Sequence, residues 1–119
     1  MTRRFLVLAA MLLLAAPPAF AHAMLRASDP AVGSTVKAPP SEVTLTYSES
    51  VDPKFSHVEV TDAHGARVDT GTVTLDPANA NKLVVALKPL TAGTYTVTWH
   101  AVSTDTHKTQ GLFTFKVAP

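Results

Sequence analysis

The chain has 119 residues, of which ten are basic and nine acidic, and its formal net charge at pH 7 is +1 when the histidines are neutral. This balance of charges argues against a protein that binds nucleic acid or another polyanion. Cysteine is absent. Disulfides and thiolate metal sites are therefore excluded, and any metal ion must be held by nitrogen, oxygen or thioether ligands.

The first 21 residues have the pattern of a secretory signal peptide. The arginine pair at positions 3–4 precedes the apolar run FLVLAAMLLLAA, which is shorter than the ~20 residues that a membrane-spanning helix needs. A proline pair at 17–18 then breaks any helix, and the small-residue site Ala19-Phe20-Ala21 follows. We therefore predict a signal peptide over residues 1–21, with a retained membrane anchor as the alternative.

Cleavage after Ala21 would leave residues 22–119, which are enough for one compact domain. The removed segment contains two of the ten basic residues, so eight basic and nine acidic residues remain. A second Ala-x-Ala, Ala21-His22-Ala23, makes cleavage after Ala23 the competing possibility. We favour cleavage after Ala21, because it keeps the prolines at the usual short distance from the cut.

The rest of the chain is predicted to form short strands separated by turns. EVTLTYS alternates apolar and polar residues, as a strand with one buried face does, and SHVEVTD and KLVVALK are similar runs rich in β-branched residues. The segments DAHGAR, DPANAN and LTAGT are predicted turns. DPAVGSTVKAPPSE has too many prolines for a central strand and is predicted to be an ordered loop between the first two strands.

Two longer strands end the chain, TYTVTWHAV and GLFTFKV. The alternation predicts that Phe113, Phe115 and Val117 share the face opposite Leu112, Thr114 and Lys116, and that the first of these strands buries Tyr95, Val97, Trp99 and Ala101. Together with Tyr47 these residues supply a core. Many short strands at this spacing predict an all-β fold, a small sandwich or barrel.

The segment STDTHKTQG carries the least easily explained polar residues. Asp105 and His107 are separated by one residue, so in an extended backbone both side chains would project from the same face, about 6.6 Å apart along the strand. A carboxylate and an imidazole placed in this way can converge on one metal ion. A solvated pair or a turn-stabilising Asx motif is the alternative.

His22 adds weight to the metal interpretation. If cleavage falls after Ala21, His22 offers an α-amine and an imidazole that can chelate one ion, and the ~7.7–8.0 pKa of such an amine lets a Lewis-acidic metal displace its proton. With Asp105 and His107 the set contains nitrogen and carboxylate oxygen, which suits tetragonal Cu(II), with zinc as the competitor. An accident of processing in a disordered terminus is the alternative.

Two stretches, HAMLRASDPAVGSTVKAPPSEVTLTYSE and LTAGTYTVTWHAVSTDTHKTQGLFTFKV, make up most of the chain after the leader. In both, the chain resembles the CopC family of periplasmic copper-binding proteins. This resemblance covers essentially all of residues 22–119. It implies a Greek-key β-barrel of Ig-like (cupredoxin-like) type, a location in the periplasm, and one Cu(II) ion held by the terminal amine and ring of His22 with Asp105 and His107. Glu49 stands at the position of a family glutamate, and we expect it to be a weak ligand or to orient one of the histidines.

One departure from the family concerns the loop that binds Cu(I) in some members. That loop is rich in methionine, whereas the corresponding FSHVEVTDAHGARVDTG contains none, and Met24 is the only methionine after the leader. We therefore expect a protein that binds Cu(II) only. His57 and His64 are expected to have surface or turn roles. His100 should point outward from the core, with an auxiliary role at the metal as the alternative.

The resemblance implies a copper carrier, not an enzyme. Such a protein sequesters Cu(II) for resistance or homeostasis, or passes it to an inner-membrane transporter or another periplasmic carrier, and we expect a monomer with no stable membrane insertion. A copper-dependent oxidative enzyme with an N-terminal histidine brace is one alternative. The short chain and the equatorial ligand Asp105 argue against it. An Ig-like interaction module without metal is the other.

Overall fold

The computed structural model describes residues 22–119, which form eight β-strands. Their bounds are β1 Leu25–Asp29, β2 Thr35–Val36, β3 Glu42–Tyr47, β4 His57–Thr61, β5 Asp69–Asp76, β6 Asn79–Leu87, β7 Gly93–Val102 and β8 Lys108–Val117. Residues 22–119 contain no helix long and apolar enough to cross a membrane. The signal peptide predicted over residues 1–21 lies outside the described residues.

The strands form two four-stranded sheets. The first has the order β1-β3-β6-β5 and the second the order β2-β8-β7-β4. The chain changes sheet after each of β1 to β4 and again after β6, so strands that are distant in sequence become neighbours, as in Greek-key folds. The predicted all-β class is confirmed.

The core lies between the two sheets and contains the residues that the alternation predicts. Tyr47, Tyr95, Trp99 and Phe113 are each no more than 6% exposed. The rings of Tyr47 and Trp99 meet edge to face with centroids 5.3 Å apart, and those of Tyr95 and Phe115 stack at 5.5 Å. Large aromatic side chains supply much of the apolar area that a small domain can bury. The core is thus built from apolar side chains, unlike a zinc finger, in which the metal ion replaces one.

Two local predictions need correction, and one strand was missed. The proline-rich segment predicted as a loop contains β2, whose two residues pair in parallel with β8 at the edge of the second sheet, where prolines nearby are tolerated. The predicted turn DPANAN shrinks to Pro77–Ala78, because β6 already begins at Asn79. β5 over Asp69–Asp76 was not among the predicted strands, and it forms an edge strand with two irregularities in its register.

Candidate metal centre

Three segments that carry predicted ligands meet at one end of the sandwich. They are residues 22–24 before β1, residues 48–50 after β3, and residues 103–107 between β7 and β8. The backbone N–H of Thr104 donates to Ser50 O at 3.1 Å, which joins the second and third of these segments. The packing of the two sheets therefore brings these three segments, which are distant in sequence, close together.

The segment that begins at His22 is held by hydrogen bonds on both sides. Ser48 Oγ donates to His22 O at 3.0 Å and accepts from Met24 N at 2.9 Å, while Ser48 N donates to Met24 O at 2.8 Å. From the other sheet, Thr109 Oγ1 donates to Ala23 O at 2.8 Å, and Ala23 is fully buried. This order argues against the disordered-terminus alternative for His22.

Residues 103–107, which contain Asp105, Thr106 and His107 and form the DTH loop, make a tight turn. The extended geometry predicted for this segment was therefore wrong. β7 ends at Val102 and β8 begins at Lys108, which leaves five residues to reverse the chain. Ser103 N donates to His107 O at 2.9 Å, and Thr106 has the left-handed φ of 72°. Such a φ is unfavourable for a β-branched residue. The turn, not a shared strand face, brings Asp105 and His107 together.

The Ser103 side chain forms hydrogen bonds with both candidate ligands of this loop. Its hydroxyl donates to Asp105 Oδ1 and accepts from His107 N at 3.1 Å, and the residue is 1% exposed. The Ser103 hydrogen bond, with a smaller contribution from His107, lowers the pKa of Asp105 below its usual value. Asp105 Oδ2 lies 3.4 Å from His107 Nδ1. The carboxylate is therefore ionised at neutral pH and lies next to the imidazole.

The ring of His22 lies against the ring of His107. Their centroids are 5.0 Å apart and their planes meet at 63°. Rings this close could hold a shared ion between one nitrogen of each, at the ~2.0–2.1 Å bond length of such ligands. Within residues 22–119, however, no three His, Asp or Glu side chains already surround one point as ligands. The α-nitrogen of His22 is an amide in the 119-residue chain, and it becomes an amine donor only after cleavage at Ala21.

Glu49 lies between Ser48 and Ser50, which form hydrogen bonds with the other two segments of the site. Ser48 binds the His22 segment, and Ser50 O accepts from Thr104 N. Glu49 Oε1 is buried and receives no hydrogen bond from any residue of 22–119. Burying a carboxylate oxygen without a partner is costly, so a cation at this end of the sandwich would satisfy it. The place of Glu49 beside the metal stays a prediction.

The other histidines lie on the surface. His64 is exposed in the turn before Gly65. His57 and His100 are exposed on the outer face of the second sheet, with ring centroids 6.4 Å apart. The outward orientation predicted for His100 is confirmed, and its ring neighbour there is His57.

The residues that position the centre were not found from the sequence. Ser48, Ser103 and Thr109 hold the candidate ligands through hydrogen bonds. Serine and threonine are frequent in turns and strands, so only the folded arrangement distinguishes these three from the others. The sequence offered one indication, because Ser103 lies two residues before Asp105 and is therefore close enough for a local hydrogen bond.

Ser103→Ala should loosen the DTH loop. We expect a loss of about 1–2 kcal/mol in the free energy of unfolding, because His107 N loses its buried acceptor, and a rise in the pKa of Asp105 towards its usual value. Urea unfolding and NMR titration of the Asp105 carboxyl measure the two effects. Thr104→Ala is the control. Thr104 is exposed, and its hydrogen bond to Ser50 O comes from the backbone N–H, which alanine retains. An unchanged Asp105 pKa in Ser103→Ala would show that Ser103 does not position the carboxylate.

Comparison with known families gives one domain match. Residues 25–118 match the CopC domain model. The match includes all eight strands, Glu49 and the DTH loop, and it begins three residues after His22. It therefore bears on the fold and the family, but tests neither the ligands nor the start of the mature chain.

Individual proteins support the same relationship. Protein YobA of Escherichia coli (strain K12) is 39% identical over 105 residues, which cover 87% of this chain and 85% of that protein. The crystal structure of CopC from Methylosinus trichosporium OB3b matches with a TM-score of 0.77 and 26% identity, over 82% of this chain and 95% of the other. That of PcoC, a methionine-rich copper resistance protein from Escherichia coli, matches with a TM-score of 0.72 and 36% identity, over 82% and 99%.

Proposed function

This chain belongs to the CopC domain family, and from that premise we propose that it is a periplasmic protein that binds one Cu(II) ion where His22, Asp105 and His107 meet. The observation that carries the proposal is the contact between the two histidine rings, 5.0 Å apart at the end of the sandwich. Residues 85 positions apart in sequence are held there by hydrogen bonds from both sheets.

The donor set favours Cu(II) over other ions. The amine and ring of His22, the ring of His107 and the carboxylate of Asp105 offer three nitrogens and one oxygen. Cu(II) forms tetragonal sites with such ligands and has the highest affinity among the divalent first-row ions, which ranks it above Zn(II). We propose that Glu49, whose Oε1 is buried without a hydrogen-bond partner, is an orienting group or a weak ligand.

The same donor set is unsuited to Cu(I). Soft thioether and thiolate ligands select Cu(I), and Met24 is the only methionine of residues 22–119. PcoC, by contrast, is named as methionine-rich. We therefore propose that the absence of a soft site makes this protein specific for the oxidised ion.

A carrier or buffer role fits the exposure of the ligands. The side chains of Asp105 and His107 are 48% and 49% exposed, so an incoming ligand can reach the ion. We propose that the monomeric protein sequesters Cu(II), or passes it to an inner-membrane copper transporter or another periplasmic carrier. An oxidative enzyme would need an open equatorial position for its oxygen substrate, and we propose that Asp105 would fill that position.

Competitive titration against chelators tests the proposal in each oxidation state. We expect the chain beginning at His22 to bind one equivalent of Cu(II) tightly at pH 7, to prefer it to Zn(II), and to release it when it is reduced to Cu(I). Retention of tightly bound Cu(I), or a stronger preference for Zn(II), would contradict the proposed selectivity. Absence of any Cu(II) binding would leave the interaction module as the function.

A further inference from the structure

A second pair of histidines lies on the outer face of the second sheet. His57 on β4 and His100 on β7 are direct partners in the antiparallel register of these strands. Both residues are exposed, and their ring centroids are 6.4 Å apart with an angle of 45° between the planes. The two side chains therefore leave the sheet side by side and face solvent.

This geometry suits a two-nitrogen chelate. Directly opposite residues of an antiparallel pair have Cβ atoms about 4.5–5.5 Å apart, and the strands fix this separation without any help from the metal. Two imidazole nitrogens that each bind an ion at ~2.0–2.1 Å must lie about 3–4 Å from one another. Rotation of two exposed rings whose centres are 6.4 Å apart reaches that distance without movement of the backbone.

Glu59 forms a hydrogen bond with the ring of His57. Its Oε1 lies 3.1 Å from His57 Nε2, on the same face of β4. A carboxylate at this nitrogen favours the tautomer that carries the proton on Nε2 and has its lone pair on Nδ1. Metal-bound histidines commonly have this arrangement, with a carboxylate on the nitrogen that does not bind the metal.

The charges around the pair are mixed. Arg67 Nη1 lies 3.4 Å from Glu59 Oε1 and offsets the charge of that carboxylate. Lys108 lines the same shallow surface depression as His100, together with Phe55 and Gln110. Two nearby cations oppose the binding of another cation, so a metal ion here must be held less tightly than one bound to several nitrogens and a carboxylate.

We propose that His57 and His100 form a second, weaker Cu(II) site, in which two imidazole nitrogens bind the ion and water completes its coordination. It requires neither the N-terminal amine nor the DTH loop, because its ligands come from β4 and β7. Cu(II) is the expected ion because it heads the affinity order at imidazole ligands. An ion held by two ligands on an open face exchanges readily with solvent and with other chelators.

The test is a Cu(II) titration of the chain 22–119 beyond one equivalent, with glycine as a weak competitor. We expect a second, weaker equivalent whose affinity falls by about tenfold or more in His57→Ala and in His100→Ala, since each variant leaves a single imidazole. The first equivalent should be unchanged in both. His64→Ala is the matched control, because it removes an exposed histidine outside the pair. Thermal melts show that each variant is folded.

The same titration in His107→Ala separates this site from the proposed main centre. The equivalent that depends on His57 and His100 should persist there. Zinc-induced shifts of the His57 and His100 ring signals in NMR spectra should locate the site directly. The proposal is overturned if the wild-type chain binds no second equivalent, if His57→Ala and His100→Ala both retain it at full affinity, or if His64→Ala removes it.

Discussion

Replacing His107 with alanine is expected to weaken Cu(II) binding by about a hundredfold or more. Residues that merely orient a metal ligand change the affinity by ~10–100-fold when they are mutated, and loss of a ligand itself should cost at least as much. The ring of His107 meets that of His22 and lies 3.4 Å from Asp105, so no other imidazole of residues 22–119 is placed to substitute for it. Competitive titration with a chromophoric chelator measures the loss.

The control for this variant is His64→Ala, which removes an exposed histidine from a turn in another part of the molecule. It should retain the wild-type affinity for the first Cu(II) ion. His107 is half exposed and its backbone hydrogen bonds do not involve the ring, so His107→Ala should remain folded by circular dichroism. Equal Cu(II) affinities in the two variants would place the site elsewhere.

Adding one alanine before His22 should have a comparable effect on affinity. The extra residue converts the α-nitrogen of His22 from an amine to an amide, which removes the chelate formed by the amine and its own ring. We expect Cu(II) affinity to fall by about a hundredfold, the upper part of the range that mutations around metal sites produce. The same competitive titration measures it, on chains whose first residue is verified by intact mass.

The fold should not respond to this extension. The hydrogen bonds that hold the N-terminal segment use His22 O, Ala23 O and Met24 N, and none of these atoms is altered. An alanine added after Pro119 instead is the matched control, since it lengthens the chain equally and leaves the amine intact. If both extended chains bind Cu(II) as tightly as the chain that begins at His22, the amine is not a ligand.

The sandwich could be predicted from sequence because β7 and most of β8 alternate between buried and more exposed residues. In β7 each buried residue from Tyr95 to Ala101 is followed by a more exposed one, and the outward position of His100 follows from the same alternation. β5 could not be predicted. Its threonines and Gly71 leave Val73 and Leu75 as the only apolar residues, both half-buried, and an edge strand with an irregular register imposes little alternation on its sequence.

The candidate site could be predicted in its residues but not in its geometry. The spacing of Asp105 and His107 indicated a joint role, yet their proximity depends on the left-handed turn at Thr106 and on the buried hydroxyl of Ser103. The pairing of His57 with His100 depends on the register between two strands about 40 residues apart. Such long-range relationships arise from the packing of whole sheets, and local patterns of residues do not encode them.

We propose that one Cu(II) ion is bound by the amine and ring of His22, the ring of His107 and the carboxylate of Asp105. Pulsed electron paramagnetic resonance on the one-equivalent Cu(II) complex of the chain 22–119 tests it most directly, because it counts the imidazoles bound to the ion. We expect two equatorial imidazoles in the wild-type chain and one in His107→Ala. Two imidazoles in His107→Ala, or a single one in the wild-type chain, would contradict it.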